Sequence, residues 1–118
     1  MNTSAKPELQ LDGLQLKKAA LIFRAINHGL RQQMVQLIHQ SGKITVTDLY
    51  RKLSLEQSVA SQHLAILRKA GIVKTKRDVK FIFYSVDYTR LAQVHEITSD
   101  LLEKAELPKS NGLVTSNG

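Results

Sequence analysis

The sequence contains no cysteine, which excludes disulfides, thiolate metal ligands and cysteine-based redox sensing. It also lacks a long apolar run: the longest, Ala19 to Phe23, is far shorter than the ~18 residues that a membrane-spanning helix needs. The N-terminus shows neither the basic leader with an apolar stretch nor the small-residue cleavage site of an export signal. We therefore expect a cytoplasmic protein, and its 118 residues suffice for one domain with a real core.

Sequence signatures of catalysis are missing as well. There is no glycine-rich phosphate loop, nucleophile elbow, HExxH motif or cysteine nucleophile, and the carboxylates are scattered over predicted helix ends. The histidines, His28, His39, His63 and His95, include no pair three or four residues apart on one helix face. We expect no enzyme, no catalytic residue and no cofactor. The histidines are interpreted as structural or solvated, and His95 is the best candidate for a pH-dependent contact.

Positive charge is abundant and unevenly distributed. The net charge is +7; residues 54–86 hold six basic and two acidic side chains, whereas residues 87–118 hold three and five. Between Arg68 and Lys80 there are six basic residues and a single acidic one, Asp78. This stretch is a candidate surface for phosphate backbones, with a merely solvated basic face as the alternative.

The first half of the chain shows helical spacing of its apolar residues. Asp12, with Gln15 three residues later, fits the N-cap of a first helix that continues to Ile26. This helix is apolar on more than one side, so one side is available to meet a second subunit. Residues 27–29 break the pattern, and a second helix then runs to the break at residues 41–43.

Two further helices follow with almost no chain between them. Thr45 opens a capping-box pattern for a short third helix. A fourth helix is predicted from about Ser54 to Ala70, with Ser54 as its cap and Gln57 reaching back to the cap amide. Gly71 stands where a left-handed residue ends a helix.

After Gly71 the spacing of apolar residues changes from helical to alternating. Residues 72–77 and 81–86 predict two strands joined by a tight turn around Asp78, and a last helix runs from Tyr88 to before Pro108. The predicted fold is mainly α with a small β-hairpin, in the order α-α-α-α-β-β-α of a winged helix-turn-helix. The predicted domains are a flexible tail over 1–11, one DNA-binding and dimerisation domain over 12–106, and a flexible tail over 107–118.

The fourth helix has two contrasting faces. Ala60, Leu64 and Leu67 form a buried stripe, with Val59 and His63 at its flanks. The opposite face begins with small or amide side chains and ends with cations: Gln57, Ser58, Ser61, Gln62, Ala65, Arg68 and Lys69. A helix in the major groove needs this division, because uncharged groups read base edges and cations hold phosphates.

An ordinary amphipathic helix with a polar outer face is the competing interpretation. The surroundings favour DNA binding, because a very short turn precedes this helix and a basic hairpin follows it at once. Lys74, Lys76, Arg77 and Lys80 lie on that hairpin, as they would on a wing.

Residues 54–73, SLEQSVASQHLAILRKAGIV, resemble the recognition-helix signature of the ArsR-type winged-helix repressors. One residue is inserted before Ser61 relative to the tightest form of that pattern. Arg31 lies near the start of the second helix, where the family commonly has an arginine, although residues 27–30 depart from its usual Asp-Pro-Thr. The agreement in helix order and length extends over about residues 14–105.

The resemblance implies a homodimer, with no membrane partner, that binds a palindromic double-stranded operator and represses transcription until a signal, which the sequence does not identify, releases it. Val79 stands near the wing tip, where the family often has glycine. The expected DNA contacts are Arg31, Ser54, Gln57, Ser58, Ser61, Gln62, His63, Arg68, Lys69, Lys74, Lys76, Arg77 and Lys80. The expected dimer interface, on the first and last helices, comprises Leu16, Ala19, Ala20, Phe23, Leu91, Val94, His95, Thr98, Leu101 and Leu102.

The metal sites of this family are not reproduced. Thr45 and Thr47 occupy the places of its Cys-x-Cys pair, and the positions of its last-helix site hold Asp87, Thr89, Asp100 and Glu103. Oxygen ligands alone suit hard cations rather than the zinc, cobalt or nickel such sites sense. We expect no metal, and leave open whether Asp87, Asp100 and Glu103 bind a hard cation.

One alternative of another class is a winged-helix module that binds a protein or RNA without operator specificity. Exposed aromatic side chains for stacking unpaired bases would favour RNA. The sequence has three phenylalanines and three tyrosines, and Phe23, Tyr50, Phe81 and Phe83 lie in core-like patterns. The residues do not decide between a repressor and an activator.

Overall fold

The computed structural model describes residues 8–104. In chain order its elements are α1 (Gly13–Ile26), α2 (Gly29–Ser41), β1 (Ile44–Thr45), α3 (Val46–Lys52), α4 (Gln57–Lys69), β2 (Val73–Asp78), β3 (Phe81–Val86) and α5 (Tyr88–Lys104). The predicted fold class, mainly helical with a β-hairpin, is confirmed. β1 was not predicted, because two residues are too few to show an alternating pattern. The tails and the limits of the domain stay predictions, since residues 1–7 and 105–118 lie outside the described part.

Side-chain caps begin α1 and α3, as the sequence predicts. Asp12 Oδ1 accepts hydrogen bonds from the backbone N–H groups of Leu14 and Gln15, at 3.0 and 3.3 Å. Thr45 Oγ1 accepts one from the N–H of Asp48 at 3.2 Å. Each cap satisfies donors that the first helical turn leaves without a partner.

The turn between α3 and α4 differs from the prediction. Ser54 has a left-handed φ of 55°. Its N–H donates to Arg51 O at 3.2 Å, and the N–H of Leu55 donates to Tyr50 O at 2.8 Å. These two bonds form a Schellman motif, so Ser54 ends α3 instead of capping α4. The predicted start of the fourth helix was therefore wrong: α4 begins at Gln57, without a side-chain cap.

The three strands form one antiparallel sheet in the order β1-β3-β2. β2 pairs with β3 from Val73 opposite Val86 to Asp78 opposite Phe81, which places β2 one residue later than predicted. Because side chains alternate along a strand, Val73 and Val86 share one face of the sheet with Ile44 of β1. All three are buried, so this inner face packs on the helices and the other face meets solvent.

The core joins the middle helices to the inner face of the sheet. The largest fully buried side chains are Met34, Ile38, Leu49, Leu64, Leu67, Ile72 and Val73. α1 contributes only Ala25 to this core, and α5 buries none of its described residues. Within residues 8–104, no helix is both long and apolar enough to cross a membrane.

Gly71 connects α4 to the hairpin and provides a test of this geometry. Its φ is 76°, and a Cβ added there would lie 3.0 Å from Arg90 Nε. We expect Gly71→Ala to lower the free energy of unfolding by about 1–2 kcal/mol, because the left-handed conformation is unfavourable for any residue with a Cβ. The measurement is denaturant unfolding followed by circular dichroism.

Gly29→Ala is the matched control. Gly29 is the first residue of α2, and a Cβ there would meet nothing within 4 Å. This variant should be as stable as the wild type or slightly more stable, because alanine favours a helix over glycine. Equal stability of the two variants would contradict the left-handed assignment of Gly71.

Candidate nucleic-acid interface

α4 divides its side chains as the sequence predicts. Ala60, Leu64 and Leu67 are buried against the core, and Val59 and His63 are half-buried at its edge. The predicted polar face is exposed along its whole length: Gln57, Ser58, Ser61, Gln62, Ala65, Arg68 and Lys69. Its first half presents hydroxyl and amide groups and its second half presents two cations, so the helix can donate and accept hydrogen bonds near one end and neutralise phosphates near the other.

α3, a four-residue turn and α4 together form a helix-turn-helix, with residues 53–56 as the turn. Ser54, on this turn, is exposed close to the N-terminus of α4. The hairpin of β2 and β3 follows α4 and forms the wing, with Val79 and Lys80 at its tip. Its basic side chains Lys74, Lys76, Arg77 and Lys80 are all exposed. The structure therefore brings the predicted contacts on α4 and on the wing into one part of the fold.

Arg31 was expected to contact DNA, but its side chain is buried, with 8% of its surface exposed. Its Nε donates to Ala25 O at 2.7 Å, its Nη2 to Arg24 O at 3.2 Å, and its Nη1 to His63 Nδ1 at 3.2 Å. The first two bonds satisfy carbonyl groups at the end of α1, which have no partner within the helix. Arg31 therefore positions α4 against α1 and α2, and its burial withdraws it from the surface where a DNA contact was expected.

His63 is held by this arginine at the inner edge of α4. A guanidinium only donates hydrogen bonds, so the Nδ1 of His63 must accept and the neutral ring carries its proton on Nε2. His28 caps α2 by accepting from the Arg31 N–H at 3.4 Å, and its ring centroid lies 5.0 Å from that of His63. Partial burial, followed by the proximity of His28 and Arg31, lowers the pKa of His63 below its ordinary value of 6.5. His63 therefore helps to hold α4 in place from its buried side, although it was expected among the DNA contacts.

α1 and α5 lie beside each other with exposed apolar surface. Leu16 and Leu101 are 56% and 65% exposed, and a cavity of about 300 Å³ lies between the two helices. Of the residues expected at a dimer interface, Leu16, Ala20, His95, Leu101 and Leu102 are exposed, whereas Ala19, Phe23, Leu91, Val94 and Thr98 are half-buried. Large apolar side chains exposed on two adjacent helices are typical of a surface that meets a partner.

The acidic residues near α5 do not converge. Asp87 caps this helix by accepting a hydrogen bond from the Arg90 N–H at 3.2 Å. Asp100 and Glu103 are exposed farther along α5. Among residues 8–104, no group of three or more histidine and acidic side chains is arranged to hold a metal ion.

Comparison with known proteins agrees with this architecture. Residues 29–75 match the family described as bacterial regulatory protein, arsR family. An HTH-type transcriptional regulator of Methanocaldococcus jannaschii is 32% identical over 85 residues, which cover 72% of this chain and 96% of that protein. The chain belongs to the ArsR family. It is a DNA-binding transcriptional regulator.

Two further relatives of this ArsR-family regulator carry more specific names. The transcriptional activator HlyU of Vibrio cholerae is 31% identical to this chain, and the match covers 68% of this chain and 73% of that protein. The solved structure of HlyU aligns with a TM-score of 0.59 at 29% identity, over 76% of this chain and 97% of the HlyU chain. A biofilm growth-associated repressor of Agrobacterium fabrum is 34% identical over 67% of each chain.

Three exposed residues near this surface were not expected there from the sequence: Ile66, Phe81 and Lys43. Ile66 lies on α4 and is 42% exposed, at a helical step of four from Gln62. Phe81, expected in the core, is 51% exposed on the wing, and the Lys43 ammonium lies 4.7 Å from the ring centre of Phe83. The alternation of side chains along residues 81–86 indicates the outward position of Phe81, because Phe81 and Phe83 fall on the face opposite Val86.

The lowered pKa of His63 predicts how stability depends on pH. Above pH 6.5 the ring is neutral in the folded and unfolded chains, and its contribution to stability is fully present. As the pH falls below 6.5, the unfolded chain binds the proton first, so the free energy of unfolding decreases until the folded pKa is passed. Thermal unfolding between pH 7.5 and pH 5 should show this loss in the wild type and a smaller one in His63→Gln.

His39→Gln is the control, because His39 is exposed and lies at the opposite end of α2 from Arg31, His28 and His63. This variant should retain the pH dependence of the wild type. The same slope in His63→Gln and in His39→Gln would show that His63 is not its source.

Proposed function

We propose that this regulator acts as a homodimer on a palindromic double-stranded operator and represses transcription until a signal releases it. The exposed face of α4 carries this proposal: it offers uncharged hydrogen-bonding groups between a helix-turn-helix turn and a basic wing. In the cell, such a protein resides in the cytoplasm in association with the nucleoid. The name of the Agrobacterium relative supports repression, whereas that of HlyU makes activation the alternative.

Sequence recognition is assigned to the first half of α4. Gln57 and Gln62 can each pair with N6 and N7 of an adenine, and Ser58 and Ser61 can bond to base edges or to phosphate oxygens. Ile66 is placed one turn beyond Gln62 and can contact the methyl group of a thymine. These side chains are exposed, and the Arg31 guanidinium holds α4 in place from its buried side. They can therefore contact the major groove without any rearrangement of the core.

Affinity is assigned to the cations around this helix. Arg68 and Lys69 end α4, where positive charge also suits the helix dipole, and the wing adds Lys76, Arg77 and Lys80. Contacts between such groups and phosphates position a protein without reading sequence, and their strength falls as salt concentration rises.

Dimerisation is assigned to α1 and α5. These helices contribute a single buried residue to the core of the described chain, yet they expose Leu16, Leu101 and Leu102. Pairing of two such surfaces about a two-fold axis would bury them, and would place two copies of α4 in successive major grooves about one helical turn apart.

The operator proposal is tested with Gln62→Ala. We expect this variant to lose about 1–3 kcal/mol of discrimination between the operator and a substituted operator, because one base-reading amide is removed. Fluorescence anisotropy with DNA from the regulator's own upstream region, measured over a range of salt concentrations, is the assay.

Arg77→Gln is the companion variant, since Arg77 is assigned to a phosphate. It should weaken binding to all sequences about equally and reduce the salt slope by about 1. If wild-type protein shows no salt-sensitive binding to its upstream DNA, or if both variants change specificity alike, these assignments are wrong.

The dimer proposal is tested with Leu101→Glu. Placing a carboxylate on the exposed apolar face of α5 should convert a dimer to a monomer in sedimentation velocity, because a buried charge without a partner opposes association. Ile82→Glu, at a residue 44% exposed on the wing, should remain dimeric. A monomeric wild type, or a dimeric Leu101→Glu, would contradict pairing through α5.

A further inference from the structure

The solvent face of the sheet carries two aromatic side chains, the exposed Phe81 and the half-buried Phe83, that the proposed duplex contacts do not include. Phe83 is opposite Lys76 in the sheet register and Phe81 is opposite Asp78, so these four side chains share the outer face. Phe81 is 51% exposed, and the two ring centres are 6.3 Å apart. Phe83 is half-buried and Phe81 is exposed, so this pair on the middle strand gains little from burial within the described chain and needs another explanation.

Cations surround this aromatic pair. The Lys43 ammonium lies 4.7 Å from the Phe83 ring centre, and that of Lys80 lies 5.6 Å from the Phe81 ring centre. Lys76 is opposite Phe83, and Lys74, two residues earlier on the same strand, shares the face. Four lysines and one acidic residue, Asp78, give the face a positive charge and favour an anionic partner.

We propose that this outer face binds single-stranded nucleic acid, with unpaired bases stacked on Phe81 and Phe83. Aromatic side chains and lysines on one open sheet face suit this ligand, because every base has a π-face and every linkage has a phosphate. A base that stacks on either ring would replace the lysine above it, and the displaced ammonium would then neutralise the adjoining phosphate.

A duplex does not fit the aromatic part of this site. In a duplex the faces of the bases are stacked on one another, so the rings of Phe81 and Phe83 would meet only sugars and phosphates. Lysines would bind those phosphates without any aromatic side chain. The face is on the opposite side of the sheet from α4, whose Leu64 and Leu67 belong to the same buried cluster as Val73 and Val86. It shares Lys76 and Lys80 with the proposed phosphate contacts of the wing, whereas Phe81 and Phe83 are not among those contacts. The aromatic part of the site is therefore distinct from the proposed duplex contacts, and the proposal does not depend on them.

The test is fluorescence anisotropy at low salt with a labelled DNA strand of about 12 nucleotides, an RNA strand of the same sequence, and a strand of equal length that has no bases. Wild-type protein should bind the DNA or the RNA strand at least about fivefold more tightly than the baseless strand, because stacking is worth about 1–3 kcal/mol per base. Preference for either sugar supports the proposal and identifies the natural strand.

Phe81→Ala should lower the affinity for the base-bearing strand by at least about fivefold and leave the affinity for the baseless strand unchanged. Ile82→Ala is the matched control, because Ile82 is on the same strand, similarly exposed at 44%, and on the other face. It should bind all strands as the wild type does.

Three results would overturn the proposal. Equal binding of base-bearing and baseless strands would show that the face attracts nucleic acid by charge alone, without stacking. An equal loss of strand and operator affinity in Phe81→Ala would assign Phe81 to the duplex interface. A peptide of glutamate and phenylalanine residues could also displace the strand. If that peptide binds more tightly than the strand, and only when Phe81 is present, the face is a protein-docking site instead.

Discussion

The guanidinium of Arg31 joins the parts of the structure that must act together. It donates to two carbonyl groups at the end of α1 and to the ring of His63 on α4, while its own backbone N–H is capped by His28. A buried cation is costly unless its donors are satisfied, so the surrounding acceptors and the arginine require one another. The position of α4 relative to α1 and α2 is therefore set by directional bonds as well as by apolar packing, which fixes only approximate distances.

The core is distributed unevenly among the helices, and this distribution separates two tasks. α2, α3, α4 and the inner face of the sheet enclose the fully buried side chains, so the unit that carries the proposed DNA contacts is closely packed. α1 and α5 contribute almost nothing to that core, although both carry exposed leucines. Because much of their apolar surface is exposed in the described chain, these helices remain available for a partner, while the Arg31 bonds hold the end of α1 to α4.

The sequence predicts those features that depend on local spacing. The stripe of Ala60, Leu64 and Leu67, the caps at Asp12 and Thr45 and the left-handed Gly71 follow from helix geometry and backbone sterics. The wrong or missed features depend on neighbours distant in sequence. Burial of Arg31 needs the end of α1 and His63, and β1 needs β3 as its partner.

Two residues other than glycine adopt left-handed backbone conformations in the described chain, and both lie in connections between elements. Ser54, at φ 55°, lies in the turn before α4, and Val79, at φ 57°, lies at the wing tip. Such conformations cost about 1–2 kcal/mol each, and a β-branched valine there is a genuine outlier. Glycine would relieve both, so the side chains themselves account for the strain. Val79 is 84% exposed between Asp78 and Lys80, so packing within the described chain does little to offset the strain at the wing tip.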